Sequence, residues 1–196
     1  MSSSTLTQVT RLRDPHARRT STQRRVFGAA AALLDESAMS DVSLPTLAAR
    51  ARITPSAVCA HFSSIDVMFA ELYLSRVTEL PLVVDPTASL QSRVSSQLRA
   101  ITLVVADEPR LAVACTKALL RSDDPAVSGV QGRIAAEVRR RLAAAMGSGA
   151  WPEVLATLEA LFWGALLQVH SRSVGYRTMA GRIDTMVSLL LPTGDR

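Results

Sequence analysis

Cysteine is scarce: Cys59 and Cys115 are the only two in 196 residues, too few for a disulfide framework or a structural zinc site, and compatible with a reducing compartment. The three histidines, His16, His61 and His170, lie on three different segments. Cys59 and His61 stand two apart, which turns them to different sides of a helix, so they make no metal pair. The chain also lacks a glycine-rich phosphate loop, a nucleophile elbow and paired carboxylates on one helical face. These absences leave an enzyme no acid, base, nucleophile or metal, and no cofactor is expected. No apolar run reaches the roughly 18 residues that a bilayer span requires. The start, MSSSTLTQVTRLRDPHARR, is basic but has no apolar stretch behind it, unlike a secretory signal. A cytoplasmic protein without a membrane partner is therefore expected. Lysine is almost missing as well: Lys117 is alone, and arginine supplies the rest of the positive charge.

What is present is a globular composition, 48% hydrophobic and 20% charged, long enough for a small head and a larger body. The net charge of +5 is unevenly placed. Residues 1–25 hold six arginines against Asp14, whereas residues 26–80 hold three arginines against six carboxylates. Attraction to a polyanion must then come from the N-terminal segment, Arg24 and Arg25 included, and locally from Arg50 and Arg52. Residues 1–19 show no periodicity and are expected to be a disordered basic arm, with Pro15 opposing any helix there. The plainer alternative for this arm is a solvated, idle terminus.

The most informative stretch is SLPTLAARARITPSAVCAHF, which begins at Ser43. Ser43 suits a helix N-cap and Pro45 falls in the first turn, where a missing N–H costs nothing. Leu44, Leu47, Ala48 and Ala51 form one apolar stripe. Thr54 and Pro55 repeat the cap-and-proline start three residues after that helix ends, and Val58 and Phe62 give the second helix its inward face. Two short helices at a sharp angle describe a helix-turn-helix, whose second helix enters the DNA major groove; an ordinary corner in an all-α protein is the alternative.

The segment from Arg25 to Phe69 resembles the DNA-binding domain of the TetR family of bacterial transcriptional repressors. The matching residues are Val26, Ala29, Ala30, Leu33 and Leu34, then Leu47, Ala48, Ala49 and Ala51, then Ile53, Thr54, Val58, His61, Phe62, Ser63, Ser64, Asp66, Met68 and Phe69. The resemblance implies that Thr54 and His61 touch phosphates and that Pro55, Ser56 and Ala57 face bases, with Cys59 and Ala60 on the same outward surface. Three positions depart from the family pattern: Arg52 stands where glycine is usual, Cys59 where tyrosine is usual, and Ile65 where lysine is usual. The tyrosine and lysine normally meet phosphates. The outward side chains offer few bidentate base contacts, so Arg50 and Arg52 are expected to supply hydrogen bonds and the arm to reach a neighbouring minor groove.

The whole chain reads as all-α: an N-terminal three-helix helix-turn-helix head, then a helical bundle for ligand binding and dimerisation. The expected divisions are a basic arm at 1–19, a DNA-binding domain at 20–80, and an effector-binding and dimerisation domain at 81–196. Apolar periodicity predicts helices over residues 20–38, 64–79, 87–106, 110–121, from the Asp-Asp-Pro at 123–125 to about 146, from Trp151-Pro152 to about 174, and 179–191. Arg139, Arg140 and Arg141 are expected on a wet face. Leu103, Leu111, Cys115, Leu119, Leu142, Phe162, Leu166 and His170 are expected around one centre, which would hold a small hydrophobic effector unless the core is simply filled. Leu158, Ala160, Leu161, Gly164, Ala165, Ile183, Val187 and Leu190 are the expected homodimer interface, a four-helix arrangement about a two-fold axis; a buried intramolecular helix pair is the alternative. The function expected is a repressor that binds a palindromic stretch of double-stranded DNA as a dimer and is released by an apolar ligand. The alternative is a helical sensor or protein-interaction module that keeps the fold without binding DNA.

Overall fold

The computed structural model describes residues 15–121, 123–170 and 174–191, the side chains of residues 15–18, 40 and 170 excepted. The described residues form nine α-helices with no strand among them, together with short 3-10 turns at Met39–Asp41 and Gly147–Gly149. The expected all-α class holds.

Helix α1 (Pro15–Glu36) starts five residues earlier than expected. Pro15 therefore does not oppose a helix there; a proline within the first turn forfeits only an N–H that has no helical acceptor anyway. Residues 15–19 of the expected disordered arm are thus helical, and residues 1–14 lie outside the described residues. Val26, Ala29, Ala30 and Leu34 form its buried face; α2 (Leu44–Ala51) packs on α1, and α3 (Pro55–Cys59) packs on α2. The rings of Phe27 and Phe62 meet at 5.8 Å and close the corner between α1 and the end of α3.

Helix α4 (Ile65–Glu79) begins at the expected place, with Ser64 Oγ accepting from Val67 N at 3.1 Å. It buries Val67, Met68, Phe69, Ala70, Leu72, Tyr73, Leu74 and Val77, which covers nearly its whole circumference, as a helix enclosed on several sides must. It lies against α6 (Pro109–Leu119) and α7 (Pro125–Met146) and so joins the head to the body. Helix α5 (Leu90–Thr102) packs on α7 and on α9 (Tyr176–Leu190), while α8 (Pro152–His170) covers α7. Helices α5 and α9 have somewhat different ends from those expected: α5 is shorter at both ends and α9 begins at Tyr176, while α8 is described as far as His170, residues 171–173 of its expected span lying outside the described residues. One continuous cluster of buried side chains runs from Val26 to Leu191.

The arginine triplet on α7 departs from expectation. Arg139 and Arg140 are exposed, but Arg141 is wholly buried. Its Nη2 donates to the Val77 carbonyl at 2.8 Å and to that of Leu80, and its Nε to Glu137 at 2.8 Å. Buried acceptors make the inward position tolerable for a cation.

Candidate nucleic-acid interface and apolar cavity

The two motif helices are capped as their sequence demands. Ser43 Oγ accepts from Thr46 N at 3.4 Å while Thr46 Oγ1 accepts from Ser43 N at 2.9 Å, a reciprocal capping box with threonine in the usual Glu position. At α3, Thr54 Oγ1 accepts from Ala57 N at 3.3 Å and from Ser56 Oγ at 3.2 Å. Both bonds use its lone pairs, which leaves the Thr54 hydroxyl proton to donate outward. Val58 is sealed at 0% exposure. Thr54, Pro55, Ser56, Cys59 and Ala60 are exposed, and Ala57 and His61 are half-buried. One face of α3 is therefore free of the protein, with small side chains that let its backbone approach another surface closely.

The basic residues expected around this face are differently employed. Arg25 donates from Nη2 to the carbonyls of Ala51 at 2.5 Å and Arg52 at 2.9 Å, which ties α1 to the turn between α2 and α3. Arg50 is paired with Glu36. Arg24 lines a shallow groove between α1 and α4 beside Arg76 and Glu79. Arg52 is exposed and is the one non-glycine residue with positive φ among the described residues, at φ 52° and ψ 48°. Its left-handed conformation explains why glycine is usual there. Arg19, expected in a disordered arm, stands on α1 near enough to His61 to lower its pKa. Burial is the larger cause of that lowering, and His61 Nδ1 is buried without a partner among the described residues. His61 is thus held towards its neutral form. Ile65 is half-buried and packs against the core at the start of α4.

The residues expected around an effector divide between the core and a surface groove among the described residues. Leu111, Cys115, Leu119, Leu142, Phe162 and Leu166 are packed in the core at no more than 2% exposure. Burial pushes the Cys115 thiol far above its usual range, so it stays protonated. Leu103 borders a polar groove with Arg99 and Asp184, and the His170 side chain is outside the described residues. An apolar cavity of about 560 Å³ lies instead between α6, the end of α8 and the start of α9. Pro109, Val113 and Thr116 line it from α6, Val169 from α8, and Val174, Tyr176 and Arg177 from the far side. The signal for it was a second stripe on α6: Pro109, Val113 and Thr116 fall at helical spacing beside the Leu111–Cys115–Leu119 stripe, which the core consumes.

The expected dimer residues divide similarly. Leu158, Ala165, Ile183 and Val187 are buried within the chain itself. Ala160 and Leu190 are exposed, and Leu161 and Gly164 half-buried. The outward face of α8 carries Ala156, Ala160, Gly164 and Leu167, the last 55% exposed, and Leu189 on α9 is 81% exposed. No His, Cys, Asp or Glu cluster among the described residues could hold a metal, and no described helix is long and apolar enough to cross a membrane.

A family profile described as bacterial regulatory proteins, tetR family, matches residues 26–72, the span of α1 to α4 that builds this surface. The chain is 41% identical to an uncharacterized HTH-type transcriptional regulator of Mycobacterium tuberculosis (strain H37Rv) over 193 residues, covering 94% of this chain and 91% of that one. Among solved structures, a TetR transcriptional regulator from Rhodococcus sp. RHA1 superposes with a TM-score of 0.73 at 19% identity, over 89% of this chain and 97% of that chain. The multidrug binding protein EbrR, crystallised with imidazole, superposes at 0.59 with 23% identity, over 88% and 96%.

Proposed function

The chain belongs to the tetR family of bacterial regulatory proteins, and on that premise we propose that it is a repressor that binds a roughly palindromic operator as a homodimer and leaves it when a small apolar ligand binds. As a member of that family it is a transcriptional regulator and not an enzyme. The observation that carries the proposal is the free face of α3: capped at Thr54, anchored by Val58, and otherwise uncommitted to the protein. In this reading residues 20–80 are the DNA-binding head and residues 81–196 the effector-binding and dimerising body. Thr54 donates to a phosphate, Ser56 and Ala57 meet base edges, and Arg19 and Arg52 add charge beside them. Two such heads would read half-sites about 34–36 Å apart.

The route from ligand to head runs through α6. Arg110, next to the cavity-lining Pro109, donates to the Leu34 carbonyl at the end of α1 at 2.9 Å, and α6 lies along α4. A ligand that favours one placement of α6 biases the separation of the two α3 helices, and a differential affinity of about 1–3 kcal/mol gives measurable coupling.

A salt titration of binding to the DNA flanking the protein's own gene tests this. Sequence-preferring binding with a steep fall in log K against log salt is expected. The second reading, a sensor that has lost DNA binding, has an observation of its own in the internal engagement of Arg25 and Arg50. No binding at low salt selects it and ends the repressor proposal.

A further inference from the structure

The cavity beside α6 is apolar except at one point deep in its wall and at its rim. The deep point is a pair of hydroxyls: Thr116, buried on α6, and Tyr176, half-buried at the start of α9, lie 2.9 Å apart. Thr116 Oγ1 also lies 2.8 Å from the Ala112 carbonyl. A carbonyl only accepts, and a threonine hydroxyl has one proton, so that proton goes to Ala112. Thr116 must then accept from Tyr176. The phenol's only proton is spent on Thr116, and what Tyr176 offers to the cavity is oxygen lone pairs. The fixed side-chain polar group of this apolar space is an acceptor, and the lining's side-chain donors, Arg177 and Thr178, are exposed.

At the rim, Arg177 reaches into solvent and stands 3.8 Å from Asp107, both side chains more than nine-tenths exposed. Such a pair is screened by water and holds no charge inside the cavity. No carboxylate is among the described residues lining the cavity, so an organic cation finds no counter-charge there. An anion placed deep would face the lone pairs of Tyr176.

We propose that the effector is an uncharged aliphatic molecule carrying a hydroxyl, which donates to the Tyr176 phenolic oxygen while its chain fills the space between α6 and α8. This inference rests on the ligand-release reading above and specifies the class of ligand. A volume of about 560 Å³ is within the usual span for small-molecule sites.

Calorimetric titration of the full chain with 1-decanol, its methyl ether and decanoate tests the inference, since the three differ only at the head group. The alcohol is expected to bind about tenfold more tightly than the ether, which has no proton to give, the ratio that one hydrogen bond to a buried acceptor supplies. Thr116→Val frees the Tyr176 proton, which either oxygen can accept, so the ether should gain and the preference for the alcohol should shrink. Tyr176→Phe should bind alcohol and ether alike. The comparison on the unaltered protein decides the matter even if a variant folds poorly. Tightest binding of decanoate, or equal binding of alcohol and ether, overturns the proposed class. Binding of none of the three overturns both the class and the ligand-release reading. Preferential binding of the alcohol with unchanged DNA affinity supports the class and overturns release alone.

Discussion

At Arg141 residue type and periodicity point in opposite directions. The spacing Ile134, Val138, Arg141, Ala145 is helical and inward, but three consecutive arginines read by type as a solvated face. Periodicity prevails in the structure because partners exist inside: Glu137 and two carbonyls at the end of α4. Arg141→Met should lower stability by about 3 kcal/mol, since it strips those carbonyls while Glu137 keeps only Arg140. Urea denaturation measures this, and a loss within 0.5 kcal/mol, as for surface sites, would mean that the guanidinium is in water. His61 makes a second residue-scale case. Its pKa is lowered in the folded chain by burial first and by Arg19 second, so the unfolded chain binds the proton more readily. His61 therefore contributes stability above pH about 6.5, which is lost as pH falls from there through the lowered folded value. A phosphate seated against the ring would oppose both causes, so DNA affinity should rise over the same interval in which the free protein weakens. His61→Gln should flatten both trends. If only the stability trend responds, His61 is away from the phosphate. The histidine's position could be read from the sequence by resemblance, but its charge state depends on burial first and Arg19 second, and neither is visible in the sequence alone.

Among the elements, the starts of α2, α3, α4 and α7 were legible, whereas those of α1, α5 and α9 fall three to five residues from expectation. Ser43-Leu-Pro, Thr54-Pro, Ser64 and Asp124-Pro125 all cap as local chemistry requires, because an N-cap is made by residues adjacent in sequence. Several C-termini here are closed by residues distant in sequence. Arg110 holds the carbonyls at the end of α1, Arg25 those of α2, Arg141 those of α4, and Arg93 the Ala145 carbonyl of α7 at 2.8 Å. Each places a cation at the negative end of a helix dipole. This use of arginine accounts for both its abundance and the shortage of free charge around α3. The turn after α2 shows the cost of lacking glycine: Arg52 sits in the left-handed region, a strain of about 1 kcal/mol. Arg52→Gly should therefore raise the melting temperature. It should also shallow the salt dependence of DNA binding by about 0.9 in slope if Arg52 meets a phosphate. A stabilised variant with an unchanged slope would leave Arg52 as strain without a contact.

For the whole molecule, the sequence marked residues of α8 and α9 as an expected homodimer interface, but could not say which side would be spent within the chain. Leu158, Ala165, Ile183 and Val187 go inward because the stripe richest in large side chains fills the protomer's own core first. What remains outside is a face of small residues, Ala156, Ala160 and Gly164, flanked by Leu167 and by Leu189 on α9. A second copy packing across this face would shield those leucines and allow close helix approach at Gly164. Within the protomer, a Cβ added at Gly164 meets nothing within 4 Å, and any residue but proline is a better helix former than glycine. Gly164→Trp should consequently leave the helical signal and the protomer's own stability intact. Across a dimer seam the same indole overpacks by about 1–3 kcal/mol, enough to weaken association by about tenfold or more. Analytical ultracentrifugation over a concentration series should show the variant dissociating at concentrations where the unaltered protein is dimeric, with operator binding lost in parallel. A variant that dimerises as before places the two-fold interface elsewhere. A variant that is monomeric yet still holds the full operator would separate dimerisation from DNA binding and end the requirement for a paired head.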